Sequence, residues 1–153
     1  PNQLQEILLE NSIDADEKNI EKNEDIRKNI IKLYSRYIKK REDITKAILK
    51  RFFGKKIKIE SIGGLGSPRD ALEGVDLEGE IDGKPFTAQV KPFREKFEDD
   101  KTITMIGTGN VKPYKTDLIM FQKGKNVLVF RNDVKIIGGK FVFPKDALVY
   151  DIN

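Results

Sequence analysis

The chain has no cysteine, no histidine and no tryptophan in its 153 residues. Without cysteine there is neither a disulfide framework nor a thiolate metal site. Without histidine, Ser-His-Asp and Cys-His catalysis are excluded, and so are imidazole-held metals. Any chemistry has to come from carboxylates, amides, hydroxyls, lysines and a hard cation that takes oxygen ligands. Long apolar runs are missing too, since none approaches the roughly 18 residues a membrane span needs. The first residues, PNQLQEILLENS, are neither basic nor apolar enough for a secretory signal. The expectation is a cytoplasmic protein, in a bacterial or phage-infected cell, with no membrane partner.

What is present is charge. Charged residues make up 35% of the chain and hydrophobic residues 38%, a balance that suits one domain with a sizeable core. The net charge of +4 conceals an asymmetry. Residues 1–26 carry eight acids against two bases, whereas residues 27–58 carry thirteen bases against Glu42 and Asp43 alone. A block this basic suits a polyanion partner, although a solvated helix face looks the same from charge alone.

Residues 1–23 hold a short apolar cluster (Leu4, Ile7, Leu8, Leu9) and then a polar stretch, which reads as a short helix or arm. From residue 24 the pattern predicts a single domain. Ile26, Ile30, Leu33, Tyr34 and Tyr37 recur at three- and four-residue intervals, as the core stripe of a helix does. Ile44, Ile48, Leu49, Phe52 and Phe53 continue it, and Gly54 closes it as a C-cap. The charged residues 39–43 leave open one long helix or two joined near Arg41. Alternating segments follow at 56–62, at 75–91, and in TDLIMF, NVLVFR, KFVFP and LVYDI. FREKFEDDKT reads as a charged connection, and TITMIGTGNVKPYK fits no single element. The expected class is α+β or three-layer α/β, with N-terminal helices before a mixed, mostly antiparallel central sheet.

Two motifs mislead. SIDADE at 12–17 shares four letters with the LAGLIDADG motif but lacks the small-residue helix that motif needs. GGLGSP at 63–68 resembles a phosphate loop, yet no Gly-Lys-Ser/Thr follows.

The stretch VDLEGEIDGKPFTAQVK, residues 75–91, is more informative. It alternates on both sides of an Asp82-Gly83 turn signal. A two-residue turn places Asp76 opposite Gln89, with Lys91 diagonal on the same face; a four-residue loop places Asp76 opposite Lys91. A three-residue loop would put the apolar residues of the two strands on opposite faces, so the pattern argues against it. Asp76 offers a hard anionic ligand, and the Gln89 side-chain carbonyl or the Val90 main-chain carbonyl offers another. A divalent cation held there would polarise a phosphoryl oxygen and acidify water. Lys91 would stabilise the developing charge, since a lysine of ordinary pKa near 10.4 is a poor base at neutral pH. A solvated, charge-alternating hairpin is the competing reading.

GVD at 74–76, then a hairpin, then QVK at 89–91, resembles the core of the PD-(D/E)XK nuclease superfamily. The resemblance runs over about residues 42–131: helix, strand, glycine-bearing loop, aspartate, x-x-Lys strand and further strands. It implies a restriction-endonuclease-like fold and a Mg2+-dependent (or Mn2+-dependent) endonuclease acting on double-stranded or branched DNA. The implied core is Asp76, Gln89 and Lys91, with Gln89 standing where most members have an acid. Glu42, or else Glu24, would be the helix acid of the site, and Glu78 an auxiliary metal ligand. Asp117 opens a strand and reads as a turn cap. Arg27, Lys28, Lys32, Arg36, Lys39, Lys40 and Arg41 would contact phosphates, while Tyr34 and Tyr37 sit at core spacing. A site-specific phage or mobile-element endonuclease, a junction resolvase and an inactive DNA-binding module all fit this layout. Cutting both strands implies a homodimer or higher homo-oligomer, with Leu4–Leu9 as one candidate surface.

Overall fold

A computed structural model describes residues 24–61, 74–108 and 111–153. The expected arm at 1–23 and the loop at 63–68 lie outside them. α1 (Glu24–Phe53) is unbroken over 30 residues, so the charged stretch at 39–43 is not a joint. Lys, Arg and Glu are good helix formers. Lys39, Lys40 and Asp43 face solvent while Ile30, Glu42, Thr45 and Leu49 are buried, so the buried side chains of α1 fall on one side of it. Gly54, in the left-handed region at φ +60°, ends the helix as its sequence suggests. No described helix is long and apolar enough to cross a membrane.

Among the described residues nine strands follow: β1 (Ile57–Ser61), β2 (Leu77–Ile81), β3 (Lys84–Glu98), β4 (Thr102–Gly107), β5 (Leu118–Lys123), β6 (Asn126–Arg131), β7 (Lys135–Ile137), β8 (Lys140–Pro144) and β9 (Leu148–Ile152). The fold is mixed α/β, with one helix among the described residues and a large, mostly antiparallel sheet. The neighbour order is β1-β2-β3-β5-β6-β9, and a second run, β4-β8-β7, branches from β3. Among the described strands only β3 and β5 pair in parallel.

Alternation along the strands sorts side chains into two cores. Leu49 of α1 packs with Ile57, Ile59, Leu77, Phe86, Ala88, Val90, Met120, Val127 and Val129 on the helix side of the sheet. On the other side, Ile119, Phe121, Leu128 and Phe130 meet Ile103, Met105, Phe141 and Phe143. The layer opposite the helix is therefore built from strands. In it the Phe121 ring lies 5.7, 5.2 and 5.9 Å from those of Phe130, Phe141 and Phe143.

The segment read as a charged connection is largely strand. β3 runs on to Glu98, and residues 93–98 pair with β4 although residues 94–98 are exposed. Main-chain pairing needs no apolar side chain, so hydropathy does not mark this half. β4 itself shows the alternation, with Ile103 and Met105 buried between half-buried threonines.

Phe121→Ala removes a ring that three others contact, so stability should fall by about 3–5 kcal/mol, read from denaturant midpoints. At the β3–β4 turn, Asp99 Oδ1 accepts the N–H groups of Thr102 (2.7 Å) and Lys101 (2.8 Å). These main-chain donors, Thr102 first, hold its carboxyl below the ordinary 3.8. A group depressed on folding stabilises fully above its unfolded pKa and loses that contribution as pH falls through the folded value. Thermal melts should therefore show Asp99→Ala below wild type at neutral pH, with the gap closing as pH drops beneath 3.8.

Candidate metal and phosphodiester site

The β2–β3 hairpin closes on Asp82 and Gly83, both with positive φ (52° and 78°), as a two-residue turn of the primed kind requires. Ile81 pairs with Lys84 and Leu77 with Ala88, so the two-residue register holds and Asp76 falls next to Gln89. The ladder ends there. Asp76 N–H donates to the Ala88 carbonyl at 2.9 Å, one residue off register. Its carboxylate Oδ2 accepts the Val90 N–H at 2.8 Å, standing in for a main-chain carbonyl. Asp76 is 5% exposed, and Gln89 8%.

Gln89 and Lys91 are in register with Ile119 and Phe121, so they point away from the helix layer, whereas Ala88 and Val90 point toward it. The Gln89 Nε2 donates a long bond (3.4 Å) to the Val90 carbonyl. Its Oε1 is buried and has no hydrogen-bond partner among the described residues. A buried amide oxygen without a donor costs roughly 1–3 kcal/mol. Asp76, Gln89 and the Val90 main chain are thus gathered at one point.

Tyr114 completes this point, and the linear sequence does not show it. The Lys91 Nζ lies 5.3 Å from the Tyr114 ring centroid, and Lys112 Nζ lies 5.9 Å from it. The ring also presses against Gly74, where φ is +68°. A Cβ on Gly74 would stand 2.6 Å from Tyr114 Cδ1 and 3.2 Å from Gln89 Oε1. Glycine there serves both the backbone angle and the close approach. Asn132 Nδ2 donates to the Tyr114 and Thr116 carbonyls (2.8 and 2.7 Å), tying this segment to the end of β6.

The other expected site residues fall at varying places. Glu42 is 6% exposed, on the helix face shared with Thr45 and Leu49. It lies about 16 Å along α1 from Phe53 at ~1.5 Å per residue, while β1 covers about 13 Å at ~3.3 Å per residue. Since α1 turns back into β1 and Ser61 pairs with Leu77, Glu42 lies toward the Asp76 end of the sheet, on its helix side. Glu24 is the first residue of α1. Glu78 sits opposite Thr87 and lines a groove of about 690 Å3 together with Glu60, Glu80 and Asp117. Asp117 is a clasp, since its Oδ2 accepts Thr87 N–H at 3.0 Å while Thr87 Oγ1 accepts Asp117 N–H at 3.1 Å.

Of the expected phosphate-contacting residues, Lys28, Lys32, Arg36, Lys39 and Lys40 are exposed, and Arg27 lies in the first turn of α1. Arg41 is half-buried with its guanidinium 4.6 Å over the Tyr37 ring, and Tyr34 and Tyr37 are half-buried as core spacing implies.

Among the described residues no three acids group closely enough to hold a metal ion. The donor set at the hairpin is one carboxylate, one carboxamide oxygen and one main-chain carbonyl. All are hard oxygen ligands of the kind Mg2+ takes, usually while keeping several waters. The orphaned Gln89 Oε1 is the observation that fits a cation there. No protein-family model, curated protein or solved structure matches the chain.

Gly74→Ala should push Tyr114 off its seat and move Gln89 Oε1. The Tyr114 ring resonances and those of Lys91 Hε should shift in NMR spectra, with a stability loss of about 1–3 kcal/mol. Tyr114→Phe keeps the ring beneath Lys91 and should leave the Lys91 resonances in place, whereas Tyr114→Leu should move them.

Proposed function

We propose that the chain is a divalent-cation-dependent endodeoxyribonuclease of the PD-(D/E)XK type. The supporting observation is that the Asp76 carboxylate and the Gln89 amide both bond to the Val90 main chain, with Gln89 Oε1 buried and without a donor among the described residues, and with Lys91 two residues along the same strand face. The order helix, strand, Asp76, x-x-Lys strand and further strands supports the reading; β5 lies parallel to the strand that carries Lys91. Here the connection to the parallel strand carries β4 where a helix is usual for parallel crossovers.

Asp76, Gln89 and the Val90 carbonyl would hold Mg2+ or Mn2+. When bound, the cation supplies Lewis acidity toward a phosphodiester. The chain's own part is positional. The Val90 N–H holds the Asp76 carboxylate in one orientation, and burial of Gln89 fixes its amide oxygen. Lys91, held over the Tyr114 ring, places a positive charge where negative charge develops on the phosphoryl oxygens. With a neutral amide in the second position, cation affinity is weaker than two carboxylates would give. Within this reading a site-specific endonuclease of a phage or mobile element is preferred to a junction resolvase, and an oligomer would present two sites to two strands.

Cleavage of plasmid and of four-way-junction DNA with Mg2+ or Mn2+ tests this. Asp76→Ala and Lys91→Ala should each lower the rate by about 10²–10³-fold. Mn2+ binding, read by electron paramagnetic resonance without DNA, should weaken in Asp76→Ala and tighten in Gln89→Glu. Binding of DNA with no cleavage of either substrate would favour a binding module on the same fold, the reading that the neutral Gln89 supports. Cleavage that survives both alanine variants would place the chemistry elsewhere.

A further inference from the structure

The strongest concentration of one charge in the described residues is on the outer face of α1. Lys28, Lys32, Arg36, Lys39, Lys40 and Lys50 are all exposed. With 3.6 residues per turn they fall within about a third of the helix circumference, over about 33 Å at 1.5 Å per residue. Asp43 is the one acid on that strip, and Ala47 its one apolar residue. The strip lies opposite the face carrying Ile30, Glu42, Thr45 and Leu49, which is buried.

This geometry separates the ridge from the site. Leu49 packs on the sheet face that carries Ala88 and Val90, and Gln89 and Lys91 point to the other face. At its Lys50 end, beside Leu49, a helix about 10–12 Å across and a sheet therefore stand between the ridge and Lys91. A duplex is stiff over its persistence length of roughly 150 base pairs. One short duplex lying against Lys91 would have to fold round the sheet to reach Lys50.

We propose that the α1 ridge is a second docking surface for double-stranded DNA, so that the protein holds one duplex segment at the hairpin site and another on the opposite side. Charge complementarity selects the occupant. A duplex presents one phosphate charge per ~1.7 Å of its axis, and a straight row of cations about 33 Å long spans roughly one turn of it. An anionic membrane fits poorly, because a surface-binding helix needs apolar residues to insert. The two-segment arrangement rests on the nuclease reading of the hairpin; the ridge as a DNA surface does not.

The test uses a five-fold variant with Lys28, Lys32, Arg36, Lys39 and Lys40 changed to Gln, all of them exposed, and a milder pair, Lys32→Gln with Arg36→Gln. A 20-base-pair duplex on beads is loaded with protein, and retention of a second, fluorescent 20-base-pair duplex is measured. Wild type should retain the second duplex, the pair variant less and the five-fold variant none. The slope of log affinity against log salt should fall by about one for each cation removed. The proposal is overturned if wild type retains no second duplex, or if the five-fold variant retains it equally well. It is also overturned if cleavage falls in step with ridge charge, since that marks a single DNA track, or if duplex RNA displaces DNA from the ridge. Ridge-dependent capture by a wild type that cleaves nothing would uphold the ridge and remove the nuclease reading, which keeps the two failures apart. Circular dichroism of both variants, matching wild type, excludes misfolding as the source of a loss.

Discussion

The structure turns on a 15-residue strand that has to serve several partners. β3 pairs with β2 up to Ala88, with β5 from Ala88 to Pro92, and with β4 from Phe93 onward, through a register shift between Phe93 and Glu95. A buried strand has to satisfy its main-chain groups at every such change, because an orphaned N–H or C=O is costly. In the interval after β2 has left, the Val90 N–H is served by the Asp76 carboxylate. Pro92, which has no N–H to offer, stands in the same interval. Oxygen and charge are collected there because the ladder is interrupted. That is where a hairpin can turn from scaffold into site.

The same carboxylate serves structure and proposed chemistry, and the two roles are compatible. The bond from Val90 N–H orients Asp76 and costs no second side chain. Gln89 is the counterpart. Its Nε2 reaches back to Val90 only at 3.4 Å and its Oε1 is left buried without a donor among the described residues. A side chain kept solely for packing would be as well served by an apolar residue of similar size, without that desolvation cost. The unmet hydrogen-bonding capacity of Gln89 is what the proposed cation would satisfy.

Legibility from sequence followed locality. Alternation and the Asp82-Gly83 turn were enough to bring Asp76 beside Gln89, because a hairpin's register is set within a few residues of its turn. Strands β6, β8 and β9 coincide with NVLVFR, KFVFP and LVYDI for the same reason. The outer half of β3 was hidden, since it pairs through its main chain and exposes FREKFE. The Tyr114 seat was hidden more deeply. Gly74, Lys91, Tyr114 and Asn132 are distant in sequence, and no period links them. Whether α1 was one helix or two turned on the buried face continuing through Glu42 and Thr45, which charge alone obscured.

Burial also changes the reading of the basic block. As sequence, residues 27–58 present many cations, spread around a helix, as a phosphate-contacting block. Packing divides them. Arg41 folds down onto Tyr37, while Lys28, Lys32, Arg36, Lys39 and Lys40 remain on the outer strip. The parity of β3 sends Lys91 to the face away from the helix, where Lys91 and Lys112 both lie near the Tyr114 ring. On the proposed reading, affinity for a polyanion and chemistry on one of its phosphates would belong to different faces of the fold, so that each could be altered without the other.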